Sequence, residues 1–110
     1  MNTKIKKPFR LQWGGHEYLV IETMGALLRF QAYTGRDILT MATDPSLADV
    51  AIYLWAAAAS SEKLYPVPEG ATPISSLTPQ DFADLLPPQV LLDWQQYNAQ
   101  GQQTDVKKKK

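Results

Sequence analysis

The sequence predicts a mainly α fold of the α+β class, in which an N-terminal β-hairpin precedes four or five short helices in one compact domain. Three observations predict it. A short segment alternates apolar and polar residues around a Gly-Gly pair, several later segments repeat apolar residues at helical spacing, and prolines and glycines separate these segments. A chain of 110 residues is long enough to bury one core.

The hairpin is predicted from the alternation at the start of the chain. Phe9, Leu11 and Trp13 alternate with polar residues, which is the period of a half-buried strand. Gly14 and Gly15 then allow a tight two-residue turn. The aromatic-rich side needs helices or another chain to cover it, because an isolated hairpin is marginally stable in water. The turn sets the register, which pairs Phe9 with Val20, Leu11 with Tyr18, Gln12 with Glu17 and Trp13 with His16.

The first helix is predicted over residues 23–33, which are apolar on two helical sides and contain few polar positions. A helix that is apolar nearly all round is usually central, so we expect this one at the centre of the fold. Thr34 and Gly35 end it, since glycine takes the left-handed conformation after a helix without a side-chain clash. Arg36 and Asp37 begin a new segment, with Asp37 in a first helical turn.

The strongest helix signal begins near residue 46. Two start signals compete there: Asp44 with Pro45, and Ser46 with Asp49 three residues later, which is a variant of the capping box. The helix that follows has a one-sided apolar stripe. The stripe consists of Leu47, Val50, Ala51, Leu54, Trp55 and Ala58.

Two further helices follow a proline-rich loop at residues 65–77, which is either a binding feature or a mobile segment. Thr78 as N-cap, Pro79 in the first turn and Asp81 after it open a short helix that runs through Leu86. Pro87 ends that helix and Pro88 opens the last one. The expected buried side of the last helix consists of Val90, Leu91, Trp94 and Tyr97.

Charge is unevenly distributed along the chain. We expect a flexible basic N-terminus at residues 1–7, a single domain at 8–98 and a disordered tail at 99–110. The net charge is zero, but residues 11–106 contain three basic residues against eleven acidic ones. This acidic body argues against nucleic acid as the main partner. The basic end, Lys107–Lys110, leaves open a basic-tailed regulatory or nucleic-acid-binding accessory protein.

The residue types argue against an enzyme. The chain has no cysteine and one histidine, His16, which lies next to the hairpin turn. A thiol nucleophile, a thiolate metal site and a histidine pair are therefore excluded, and Asp81 and Asp84 are explained by a helix start. We expect no catalytic residues, no cofactor and no metal. No apolar run approaches the roughly 20 residues that a membrane span needs, so we expect no such span. The absence of cysteine fits a reducing compartment, so we expect a cytoplasmic protein.

Three short motifs, taken in order, resemble the tail assembly chaperones of long-tailed bacteriophages. The first is a helix that ends in a Thr-Gly-x-Asp element, here Thr34–Asp37. An amphipathic helix that ends in a Trp-Ala run, here Leu54–Ala57, comes next, and a Thr-x-x-Asp helix start, here Thr78–Asp81, follows. The resemblance covers about residues 20–97, and the proline-rich loop departs from it.

The resemblance implies a non-enzymatic protein that binds the tape measure protein, keeps it soluble and recruits tail tube protein in the host cytoplasm, while being absent from the mature virion. It also implies a longer frameshift product of the same gene, for which Lys107–Lys110 would mark a slippery messenger sequence. The two apolar sides of the helix at 23–33 leave self-association open. A structural tail or head-completion protein is the other phage alternative. We expect Thr34, Gly35, Arg36 and Asp37 to form an architectural corner. The candidate partner-binding residues are Trp13, Leu27, Phe30, Tyr33 and Trp55.

Overall fold

The computed structural model describes residues 7–36 and 46–108, with side chains through residue 98. This part of the chain confirms the predicted fold class, with one hairpin followed by helices in a compact globule. The new segment that the sequence predicts from Arg36 and Asp37 lies, from Asp37 on, outside the described residues. The elements are β1 (Phe9–Trp13), β2 (His16–Val20), α1 (Met24–Thr34), α2 (Leu47–Ser61), a 3₁₀ turn (Ile74–Ser76), α3 (Pro79–Asp84) and α4 (Pro88–Lys108).

The hairpin has the predicted antiparallel register throughout. Gly14 and Gly15 both have positive φ, 58° and 84°, which is the conformation that a two-residue hairpin turn requires. On the outer side, Arg10 and Gln12 both donate hydrogen bonds to the Glu17 carboxylate, at 3.0 and 2.8 Å. The inner, aromatic-rich side packs into the core. The helices of the same chain therefore provide the cover that the hairpin needs.

The central helix is α2, and the prediction that α1 would be central is wrong. Every residue from Tyr53 to Ser61 is buried, and α2 contacts α1, β2, the 3₁₀ turn, α3 and α4. The side chains of four consecutive alanines, Ala56–Ala59, are small, so neighbouring elements can pack close to this helix on several sides. Only two residues of α1 are fully buried, Ala26 and Phe30. The sequence predicts burial on one side of α2, whereas the structure buries all sides of this helix from Tyr53 to Ser61.

The proline-rich loop packs on the core. The Tyr18 hydroxyl donates to the backbone oxygen of Thr72 at 2.8 Å, and the side chain of Ile74 is completely buried. The Glu62 carboxylate accepts hydrogen bonds from the amide and hydroxyl of Ser75, at 3.1 and 2.7 Å. Of the two alternatives for this loop, a mobile segment is therefore disfavoured. Its contacts explain it as a cover for the core.

The last helix runs further than the sequence indicated. The backbone of α4 is helical to Lys108, whereas the sequence predicted disorder from residue 99. Residues 99–108 contain no proline, and a helix that has already started can extend through a weak helix former such as Gly101 without a new nucleation step. Trp94 anchors the start of α4, because its ring stacks on Tyr97 at 5.7 Å and meets Phe9 edge-on at 5.2 Å.

Candidate partner-binding surface

Thr34 and Gly35 form a corner at the end of α1. Gly35 has a φ of 78°, and its amide donates to the backbone oxygen of Gln31 at 2.8 Å. The Thr34 hydroxyl donates to the backbone oxygen of Phe30 at 2.9 Å and accepts the amide of Arg36 at 3.1 Å. These bonds confirm the predicted end of the helix. Asp37, the last residue of the motif, lies outside the described residues.

Arg36 joins this corner to the start of α2. Its guanidinium donates through both terminal nitrogens to the Asp49 carboxylate, with the Nη1–Oδ2 distance at 2.9 Å. Asp49 is only 4% exposed, and its amide donates to the Ser46 hydroxyl at 3.0 Å. Ser46 is therefore the N-cap, as one of the two competing start signals predicted. The hydrogen bonds from Arg36 lower the pKa of Asp49 below its usual range.

Three of the five predicted partner-binding residues lie in the core. Trp13 stacks on Phe82 with ring centroids 5.7 Å apart, and its Nε1 donates to the Phe82 backbone oxygen at 2.7 Å. Phe30 is completely buried. Trp55 is also buried, and its Nε1 donates to the backbone oxygen of Leu77 at 2.9 Å. The structure places these side chains in the packing between elements, where they expose at most 7% of their surface.

The exposed apolar surface lies instead on the outer side of α1. Tyr33 is 54% exposed, and Leu27 is partly buried against the core. Met24 and Leu28, which the sequence analysis did not select, are 67% and 61% exposed. Their spacing of four residues was the available signal, since it places them on one helical side. We call Met24, Leu28 and Ala32 the α1 outer face; Tyr33 lies about 140° from Leu28 around the helix, beyond Arg29.

Arg29 borders the α1 outer face and is held in place. Its Nε donates to the Ser60 hydroxyl at 3.2 Å, and its guanidinium carbon lies 5.8 Å from the centre of the Trp55 ring. The Tyr33 ring packs against the same tryptophan, with centroids 5.7 Å apart. Each of the other two described arginines is paired with a carboxylate, whereas no ion pair in the described ranges includes Arg29.

The buried tyrosines act as structural hydrogen-bond donors. Tyr53 donates to the Glu22 carboxylate at 2.9 Å, and burial, reinforced by Glu22, raises its pKa. Burial likewise raises the pKa of Tyr18. Both hydroxyls therefore remain protonated at neutral pH. Within residues 7–36 and 46–98, no group of three or more His, Asp or Glu side chains could hold a metal ion.

None of the helices in the described part of the chain has the length and apolar character needed to cross a bilayer. Comparison with known proteins gives no match: no protein-family model, no curated protein and no solved structure matches this chain. Its function must therefore be inferred from the residues themselves. The corner at the end of α1 and the exposed side of that helix are the features that bear on it.

Proposed function

We propose that this protein is a tail assembly chaperone of long-tailed bacteriophages, which binds the tape measure protein, keeps it soluble and helps to recruit tail tube protein. Support comes from the order and spacing of the motifs at residues 34–37, 54–57 and 78–81. The observation that carries the proposal is the α1 outer face. Large apolar side chains left exposed along one helix are suited to gripping a helical partner.

The charge of the body supports the same role. Residues 11–106 hold three basic residues against eleven acidic ones. A chaperone that coats a long apolar partner must keep the complex dispersed, and the acidic body provides charged, hydrated side chains beside the apolar face, although the basic ends make the whole chain neutral. The apolar surface and the acidic body thus serve different parts of one task.

The proposal includes a place and a gene arrangement. The protein would act in the host cytoplasm and be absent from the mature virion. A longer product of the same gene would arise by ribosomal slippage at Lys107–Lys110, whose codons are A-rich. Reading the coding nucleotides tests this part, since a missing slippery heptamer or a missing overlapping downstream frame would remove it.

Co-expression with the tape measure protein of the same genome tests the main proposal. We expect a larger soluble fraction of tape measure protein and a complex that co-purifies with the chaperone. Replacing Met24 and Leu28 together by glutamine should reduce both effects. Leu92→Gln is the matched control, because Leu92 is an exposed leucine on α4, at 54% against 61% for Leu28. Failure to form any complex, with both proteins folded, would contradict the proposal.

Two measurements separate the alternatives. Mass spectrometry of purified virions should not find this chain, whereas a structural tail or head-completion protein would be present. A salt titration of DNA and RNA binding should show little affinity, because the acidic body provides few phosphate contacts. Strong salt-dependent binding that survives removal of Lys107–Lys110 would favour the accessory-protein alternative.

A further inference from the structure

We propose that the α1 outer face, together with Arg29, binds an amphipathic helix whose contact side combines apolar residues with a carboxylate. This inference rests on the proposed function, and it specifies the chemistry of the partner segment that the chaperone grips. Apolar residues and a fixed cation lie on one exposed helical side here.

Helical geometry places these groups next to one another. Successive residues on a helix are separated by about 100°, so Leu28 points almost directly away from the buried side of α1. Arg29 lies about 100° from Leu28, and the small exposed Ala32 lies between them. Met24 extends the apolar ridge by one turn. A helix lying over Ala32 would therefore contact an apolar ridge on one side and a guanidinium on the other.

Arg29 is positioned before any partner arrives. Ser60 accepts its Nε–H and the Trp55 ring lies against its guanidinium, so the terminal nitrogens keep donors for a further acceptor. A side chain fixed in this way loses little entropy when it binds. A partner that covers Leu28 would also remove water from Arg29. Because stripping water from an unpaired charge is costly, the partner needs a carboxylate at this edge.

A second copy of this chain is a poorer occupant. A two-fold symmetric contact would place the same surface against itself. The sequence of α1, MGALLRFQAYT, contains no acidic residue, so such a contact would bring two Arg29 side chains together without a carboxylate from either helix. A separate acidic segment satisfies the guanidinium, whereas a copy of α1 does not.

Opposite charges introduced at Ala32 test the inference in the full-length chain. Ala32→Glu adds a carboxylate three residues from Arg29, where it pairs with the guanidinium and repels an acidic partner. Ala32→Lys adds a second cation. The probe is a set of overlapping peptides of roughly 25 residues, about seven helical turns each, that tile the tape measure protein. Binding should weaken about tenfold in Ala32→Glu and stay equal or strengthen in Ala32→Lys.

Both replacements suit an exposed helical position, so the fold should survive, and equal melting temperatures would verify it. Gln96→Glu and Gln96→Lys place the same charges on the exposed side of α4 and should leave binding unchanged. Wild-type binding should be strongest for peptides with acidic and apolar residues on one side, and Leu28→Gln should weaken it.

Different results separate this inference from the proposed function. If the wild-type chain binds neither the tape measure protein nor its peptides, both fall. If it binds but the two Ala32 variants lose affinity equally, the contact is apolar only, and the proposal of a carboxylate on the partner helix is wrong. Unchanged affinity in both Ala32 variants and in Leu28→Gln would overturn the proposed surface alone. A wild-type dimer in sedimentation that Leu28→Gln abolishes would assign the face to self-association and also overturn it.

Discussion

Ser61 ties the end of β2 to the end of α2, and its removal is the most direct test of how α1 is positioned. Its hydroxyl accepts the amide of Ile21 at 2.8 Å. The same hydroxyl lies 2.7 Å from the backbone oxygen of Ala57 and 3.0 Å from that of Ile21, so it can donate to either. Ser61 is only 1% exposed. Because Thr23, the N-cap of α1, follows two residues after Ile21, this contact attaches the chain just before α1 to the end of α2.

Replacing Ser61 by alanine removes the acceptor for the Ile21 amide without changing the shape of the core. An unsatisfied donor of this kind costs about 1–3 kcal/mol. The higher helix propensity of alanine returns about 0.5 kcal/mol. We therefore expect the free energy of unfolding to fall by about 0.5–2.5 kcal/mol. For a domain of this size, this corresponds to a decrease in melting temperature of roughly 2–20 °C.

Urea unfolding followed by tryptophan fluorescence measures the change, because all three tryptophans are buried in the folded chain. Ser76→Ala is the matched control. Ser76 is exposed, and its hydroxyl donates to the backbone oxygen of Pro73, so its loss should cost less than about 0.5 kcal/mol. A Ser61→Ala variant as stable as this control would refute the reasoning, since the Ile21 amide would then have found another acceptor.

Three further predictions use the same unfolding assay. Gly35→Ala should lower the free energy of unfolding by about 1 kcal/mol, because the left-handed backbone at this position disfavours a side chain, even though an added Cβ meets no atom within 4 Å. The control is Gly25→Ala, inside α1, which should keep or raise stability. Trp13→Phe should lower the free energy of unfolding by about 1 kcal/mol, because it removes the indole hydrogen bond to the Phe82 carbonyl, which keeps only the longer bond from the Leu85 amide, while the ring stack remains. Folding lowers the pKa of Asp49, so the ionised carboxylate stabilises the fold fully above about pH 4, and this stabilisation is lost as the pH falls further. The wild-type chain should therefore exceed Asp49→Asn in free energy of unfolding at neutral pH, by an amount that shrinks in acid. A stability difference that stays constant with pH would contradict this.

Local chemistry made part of the fold predictable. The hairpin register followed from Gly14 and Gly15, because a two-residue turn leaves one pairing, and that pairing puts Phe9, Leu11, Trp13, Tyr18 and Val20 on the buried side. The N-caps at Ser46 and Thr78 and the stop at Gly35 were predictable for the same reason, since each depends on a bond between residues four or fewer positions apart.

The position of the helices depended on long-range packing. The alanines of α2 carry a weak hydrophobic signal, yet their small size lets other elements surround them. In contrast, Met24 and Leu28 carry a strong apolar signal but lie outside, because one side of α1 already fills the space over α2. Hydrophobicity alone therefore could not predict which of the two helices is more deeply buried. Large aromatic side chains such as Trp55 suit both core packing and partner binding, so hydrophobicity predicts a partner site where the structure has a core residue.

The two clamps on α1 connect the corner motif with the exposed surface. At one end, Arg36 holds Asp49 at the start of α2. At the other end, Ser61 holds Ile21 just before the helix begins. A helix fixed to its neighbour at both ends presents its outer side in one orientation, and a preformed surface loses less entropy on binding than a mobile one. The Thr-Gly-Arg corner can therefore serve recognition without touching a partner, by fixing the helix that does.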